Sequence, residues 1–204
     1  MPMLLHIDSS PRASSVSSQL SAAFVERWRQ QNPSGTVVHR NTSLENVPYL
    51  DGAMVDAMFT PAAALTLQQK LALAFSDSLV DELLAADVIV FGVPMWNLSI
   101  PASLKAWIDL VVREGRTFAF TDQGVAPLLP PGKKVYIFTA RGGAYPPGSP
   151  IHALDFQEPY LRSILRLIGL TDIEFIHAEH QSEDPTSAAA GLALAEHALA
   201  ALTR

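Results

Sequence analysis

Residues 88–93 read Val-Ile-Val-Phe-Gly-Val and run straight into Pro94. A half-buried strand alternates apolar and polar side chains; six apolar positions with no polar break describe a strand covered on both faces, as in a parallel sheet packed between helices. The flanking sequence agrees. Upstream, Leu67, Leu71, Phe75, Leu79 and Leu83 recur at helical spacing and predict a long helix over about 65–86. Downstream, Ser99 and Pro101 read as a helix start, with Leu104, Trp107, Ile108 and Val111 as its buried stripe.

The same alternation fills the rest of the chain. Residues 3–7 are a short apolar run that stops at Asp8, a first strand. Leu20, Ala23, Phe24 and Trp28 give a helix over 17–31 one apolar face, and the β-branched run 36–39 makes a brief second strand. Residues 41–62 show little period and read as an excursion with one short helix near 53–58. Residues 134–139 and 173–178 are the fourth and fifth strands. Between them Phe156, Tyr160, Ile164 and Ile168 mark a helix that Gly169 ends. Asp184-Pro185 supplies a cap and a first-turn proline for a last helix carrying Leu192, Ala195, Leu199 and Leu202. No repeat or low-complexity linker divides the chain. Residues 1–204 therefore read as one domain, a doubly wound, five-stranded parallel α/β sheet with helices on both faces.

Composition excludes several function classes. Of 204 residues, 49% are hydrophobic and 17% charged, a globular balance. Lys and Arg total 14 against 20 Asp and Glu, a net charge of −6 with no basic run, which argues against nucleic acid and anionic membranes as partners. The absence of cysteine excludes disulfides, thiolate catalysis, zinc–cysteine sites and iron–sulfur clusters. The N-terminus has no basic region ahead of its apolar run, and the longest apolar stretch is too short for a bilayer, so a cytoplasmic protein is expected.

In a doubly wound sheet ligands bind beyond the carboxyl ends of the strands. Six of the ten residues from Ser9 to Ser18 carry a hydroxyl and a helix follows, an arrangement suited to phosphate, or else an ordinary serine-rich turn with one capping serine. After the central strand, Met95, Trp96 and Asn97 lie between Pro94 and Pro101, suited to a planar apolar ligand, unless the first two simply pack inward. After the fourth strand comes Ala140-Arg141-Gly142-Gly143-Ala144-Tyr145, whose glycines allow close backbone approach and positive φ. The dinucleotide and P-loop fingerprints are both absent. What favours a ligand site is that all three strand ends carry such loops.

These residues bring a family into view. Ser10 with Ser15-Val16-Ser17-Ser18-Gln19-Leu20, Pro94-Met95-Trp96-Asn97 with Leu104-Lys105 and Asp109, Thr117-Phe118 with Phe120-Thr121 and Gly124, and Arg141-Gly142-Gly143 together resemble the FMN-dependent NADH azoreductases, or NADH:quinone oxidoreductases, of the flavodoxin-like fold. The resemblance runs over nearly the whole chain. It implies a homodimeric flavoenzyme that takes a hydride from NADH or NADPH and passes two electrons to a quinone or azo compound by a ping-pong mechanism, with the flavin rather than a side chain as the reacting group. By the same resemblance Ser10, Ser15, Val16 and Ser17 hold the FMN phosphate. Met95, Trp96, Asn97 and Leu98 line the ring, and the loop of Ala140, Arg141, Gly142 and Gly143 meets its pyrimidine side. Asn97 also helps to fix the ring, and Phe120 and Tyr145 are candidates for substrate contact. Trp96 stands where the family commonly has Tyr, Leu98 where it often has Phe, Ala140 for a common Ser and Phe120 for a frequent Tyr. These departures bear on substrate range more than on the cofactor.

Other readings fare worse. His177 and His180 with Glu179 lack a third ligand motif, His6 reads as structural, nothing in the sequence pairs His152, and no metal is expected. A serine hydrolase lacks its Gly-x-Ser-x-Gly elbow. A phosphoreceiver needs an aspartate where the central strand ends in Val93-Pro94. A flavodoxin-type electron carrier working with a protein partner, or an FMN reductase, remains the alternative. The segment 117–131 carries Phe118, Phe120, Leu128 and Leu129, more apolar surface than a monomer easily covers, and predicts a dimer interface.

Overall fold

The apolar run at 88–93 is the middle of the sheet. The computed structural model describes residues 1–202. In chain order the elements are β1 (Met3–Asp8), α1 (Val16–Gln31), β2 (Thr36–Asn41), α2 (Gly52–Met58), α3 (Leu67–Ala85), β3 (Val88–Pro94), α4 (Ala102–Val111), β4 (Phe118–Thr121), β5 (Gly124–Pro127), β6 (Lys134–Ala140), α5 (Glu158–Leu167), β7 (Asp172–Ala178) and α6 (Pro185–Leu202). Five strands form one parallel sheet in the order β2-β1-β3-β6-β7. The order reverses between β1 and β3, so the ends of β1, β3 and β6 lie side by side at the switch point where ligands bind.

Alternate residues of β3 feed two cores. Ile89 and Phe91 pack with Leu79 and Leu83 of α3, Trp107 and Ile108 of α4, and Leu161 and Leu165 of α5. Val90 belongs to the opposite layer with Leu20, Phe24 and Trp28 of α1 and Leu199 of α6. Each such side chain contributes about 1.5–3 kcal/mol on burial. Local signals set the helix ends. Ser15 caps α1, accepting from the Ser18 amide. Thr66 and Gln69 form a reciprocal capping box on α3. Gly169, at φ 102°, closes α5, with its amide and that of Leu170 bonding back to Arg166 and Leu165.

The structure corrects several expectations. Helix α3 begins at Leu67, and Leu67 and Leu71 are 75% and 69% exposed rather than part of a core stripe, whose buried members begin at Leu73. Ser99 belongs to a tight turn, and α4 starts after Pro101. Phe156 precedes α5 and is exposed; Asp155 accepts from the Gln157 and Glu158 amides instead. Within 117–131 the chain forms an antiparallel hairpin, β4 with β5, that the sequence does not announce.

Candidate functional site

Three loops meet at the switch point. The first, residues 9–15, joins β1 to α1 and leads into its first turn. Ser9 bonds the Gly92 carbonyl through both its amide and its hydroxyl, which fastens this loop to the end of β3. Ser10, Ser15 and Ser17 are buried, and the Ser15 and Ser17 hydroxyls lie 3.1 Å apart. The Val16 and Ser17 amides, at the start of α1, have no acceptor among the described residues. Hydroxyls, free amides and the positive helix end thus converge, with no acidic residue between Ser9 and Ser18. From behind, Thr42 bonds the Asp8 carbonyl with its amide and hydroxyl, and the Ser43 hydroxyl donates to the Ser9 carbonyl at 2.7 Å.

The second loop follows β3. Trp96 and Ser99 exchange two backbone hydrogen bonds around Asn97 and Leu98, whose φ values are 49° and 69°. This is a type I′ turn. Asn tolerates the left-handed region; a leucine there stores about 1–2 kcal/mol of strain. Trp96 is 44% exposed and Asn97 is exposed, so neither is core packing; Met95 is half-buried. The third loop follows β6, and the Met95 amide donates to the Ala140 carbonyl at 2.8 Å, making one wall of the two loops. Neither Gly142 nor Gly143 has positive φ. Gly142 supplies room instead: a β-carbon there would fall 3.0 Å from Ser182 Oγ.

Arg141 points inward. Its guanidinium is 2% exposed, 3.1 Å from Asp155 Oδ2, and its Nε donates to Gln157 Oε1 at 3.1 Å. Gln157 in turn donates to the Val93 carbonyl, and the Phe156 amide to that of Leu98, so the segment before α5 braces both loops. Behind it the His177 ring bridges the Thr139 hydroxyl and Glu158, and this bond, with Arg162, holds the Glu158 carboxyl down at about 2. Tyr145 is half-buried beneath the Arg141 guanidinium, and its carbonyl pairs His152. Phe120 projects from the hairpin, 63% exposed, its ring edge-on to Phe118.

A family model described as flavodoxin-like fold matches residues 3–202. The chain belongs to this family. It is 47% identical over 201 residues to an FMN-dependent NADH:quinone oxidoreductase of Nostoc sp., spanning 98% of this chain and 97% of the relative. It is 45% identical over 201 residues to the protein of that name from Azotobacter vinelandii, with 98% of each covered. Among solved structures, an azoreductase from Bacillus anthracis superposes with a TM-score of 0.90 at 30% identity, covering 100% of this chain and 99% of its own. The five-stranded parallel sheet and its flavodoxin-like order agree with the sequence expectation.

Within this family fold the structure brings the Ser15 and Ser17 hydroxyls together beside Val16, in the loop that also carries Ser10, and joins the turn of residues 95–98 to the loop after β6 through Met95 and Ala140, while the Arg141 side chain serves as a brace. Sequence reasoning missed the residues that hold these loops: Thr42, Ser43, Ser103, Asp155 and Gln157. It also missed a group on the α1 side. His6, Asp8 and His39 stand together; burial pushes His6 down to about 4, and a hydrogen bond to Asp8 raises His39. His177 and His180 make separate contacts, with Glu158 and Glu183. No helix among the described residues is long and apolar enough to cross a membrane.

Proposed function

We propose that this chain is an FMN-dependent oxidoreductase that passes two electrons from NADH or NADPH to quinones and azo compounds. The observation that carries the reading is the physical joining of three loops at the carboxyl ends of β1, β3 and β6, by Ser9 to the Gly92 carbonyl and Met95 to the Ala140 carbonyl, one loop rich in donors and the next apolar and amide-bearing. The names of the curated relatives and of the azoreductase structure support it.

The residues fit FMN. A phosphate dianion needs several donors and no nearby acid; the Ser10, Ser15 and Ser17 hydroxyls and the Val16 and Ser17 amides supply them at a helix N-terminus. The only formal charge in that loop is the exposed Arg12, so hydrogen bonds and the helix dipole provide the attraction. Met95, Trp96, Asn97 and Leu98 would face the ring, with the type I′ turn presenting backbone and the Asn97 amide to it. Ala140, Arg141, Gly142 and Gly143 would meet its pyrimidine side through main chain, since the Arg141 side chain is committed to Asp155 and Gln157. A bound FMN would supply the two-electron chemistry between nicotinamide and acceptor. The chain's own part is to orient, to exclude water and to keep one face open beside Trp96 and Asn97.

One open face makes donor and acceptor take turns. Initial rates with NADH varied at several quinone concentrations should give parallel double-reciprocal lines. NADH alone should bleach the yellow protein before any acceptor is added. Failure to take up flavin from an FMN solution would sink the reading. Flavin uptake without NADH consumption when quinone is the sole acceptor would favour the electron carrier.

A symmetric dimer belongs to this proposal. Tyr49, Phe59, Leu67 and Leu71 are each about 70% exposed, and Leu50, Val55, Phe59, Ile108, Phe118 and Ile164 line one apolar groove between α2, α4, α5 and the hairpin. Light scattering should return twice the 22.0 kDa chain mass, and Phe59→Glu should return it once. A monomeric wild type would count against the dimer.

A further inference from the structure

On the α1 side of the sheet edge one cluster has the donors of a cation site. His6 and Asp8 stand two apart on β1 and so share a face. The parallel pairing of β1 with β2 sets His39 opposite His6. One ligand atom from each residue lies within 4.8 Å of the other two, and this is the only such group of histidine and acidic side chains among the described residues. We propose that His6, Asp8 and His39 bind a divalent cation of the zinc class, with Zn²⁺, Co²⁺ and Ni²⁺ as the ions they suit.

The spacing fits. Ligands held about 2.0–2.2 Å from a tetrahedral zinc stand about 3.3–3.5 Å from one another. Asp8 Oδ2 lies 3.1 Å from His39 Nε2 and 3.6 Å from His6 Nε2, which brackets that edge. The two rings are stacked with centroids 4.7 Å apart and tilted by 29°. His39 Nε2 bonds Asp8 Oδ2, while His6 Nε2 meets the Ser21 hydroxyl at 2.9 Å, a bond that would yield to the ion with the ring's proton on Nδ1. The other oxygen, Oδ1, accepts from the buried Ser21 hydroxyl at 3.3 Å, which holds the carboxylate as outer-shell bonds do around metal sites.

Chemistry selects the ion. Two imidazoles and one carboxylate suit a borderline metal; Mg²⁺ and Ca²⁺ call for more oxygen ligands than are present. His6 and Asp8 are buried while the His39 side chain is 51% exposed, so the remaining position faces solvent and is filled by water. On binding, the His39 Nε2 proton, which donates to Asp8 in the metal-free protein, is released to solvent. The ion would clip the edge strand β2 to β1 and, through Ser21, to α1.

The inference is independent of the flavin reading, and its test uses no turnover. The purified protein, freed of metal by a chelator and dialysed, is titrated with Co²⁺ while d–d absorption is followed at wavelengths longer than those of a flavin. Saturation at one equivalent, displaced by Zn²⁺, is expected, with a rise in melting temperature on Zn²⁺ addition. His39→Ala lies on a half-exposed edge position and should fold; it should weaken binding by about tenfold or more and abolish the thermal shift. His180→Ala, at an exposed histidine paired with Glu183, should bind as the wild type does. No cobalt spectrum at millimolar Co²⁺, or equal affinity in wild type and His39→Ala, would overturn the site.

Discussion

Ser17→Asp is expected to purify folded and almost free of FMN. Ser17 is fully buried in the first turn of α1, its hydroxyl 3.1 Å from that of Ser15 and its own amide free. The substitution removes one hydrogen bond to a charged group, worth about 1.5–3 kcal/mol. It also sets a carboxylate against the phosphate, a repulsion of about 4 kcal/mol per charge pair at contact distance near a protein surface. Together these weaken FMN by at least about a thousandfold, at about 1.4 kcal/mol per decade. The fold has reason to survive, because a negative side chain in the first turn suits the helix dipole. Ser17→Ala loses only the hydrogen bond and should fall between the two, weakened by about ten- to a hundredfold. Flavin absorbance after gel filtration, and fluorescence titration of the stripped protein, read both variants. Wild-type flavin content in Ser17→Asp would remove the phosphate from this turn.

What the sequence makes legible follows from where physical constraint acts on composition. Burial on both faces leaves its mark as an unbroken apolar run, so β3, and with it the parallel sheet, can be read from 88–93 alone. The three ligand loops follow from strand order. The hairpin β4–β5 leaves no such mark, because its strands are four residues long and largely exposed, so neither face demands an apolar alternation. Leu67 and Leu71 satisfy helical periodicity yet lie on the surface; spacing records that a face is apolar, not what covers it. Arg141 is the clearest case of a residue whose position is legible and whose role is not. It sits in a ligand loop, but Asp155 and Gln157 fold back from beyond a proline-rich turn to hold its guanidinium, a pairing no local pattern encodes. His39 meets Asp8 only through the register of β1 with β2.

Gly92→Ala is expected to cost stability and flavin affinity together, although it adds a methyl to a strand whose other residues before Pro94 are valine, isoleucine and phenylalanine. Its backbone is ordinary, with no positive φ, so conformational freedom is not the reason for glycine. The reason is approach. A β-carbon at Gly92 falls 2.7 Å from Ser21 Oγ and 3.2 Å from the Ser17 carbonyl, with Asp8 Oδ1 nearer still. None of these can step aside freely. Ser21 is fully buried and bonded to His6, Asp8 and the Ser18 carbonyl, and the Ser17 carbonyl is helix backbone. Relief therefore requires α1 to lift from the sheet, an overpacking cost of about 1–3 kcal/mol. The entropic gain of alanine over glycine in the unfolded chain returns only about 0.4–1 kcal/mol. A net loss of about 1–2 kcal/mol lowers the melting temperature by about 2–8 °C in a chain of this size. Because the N-terminus of α1 carries the Ser15–Ser17 donors, the same displacement should loosen FMN. Gly52→Ala is the matched control: nothing lies within 4 Å of its β-carbon and it opens α2, so it should hold or raise the melting temperature. Thermal unfolding of the flavin-free proteins separates the packing cost from lost ligand stabilisation. If Gly92→Ala melts with the wild type there, α1 can yield, and the close contact between α1 and β3 does not fix the cradle.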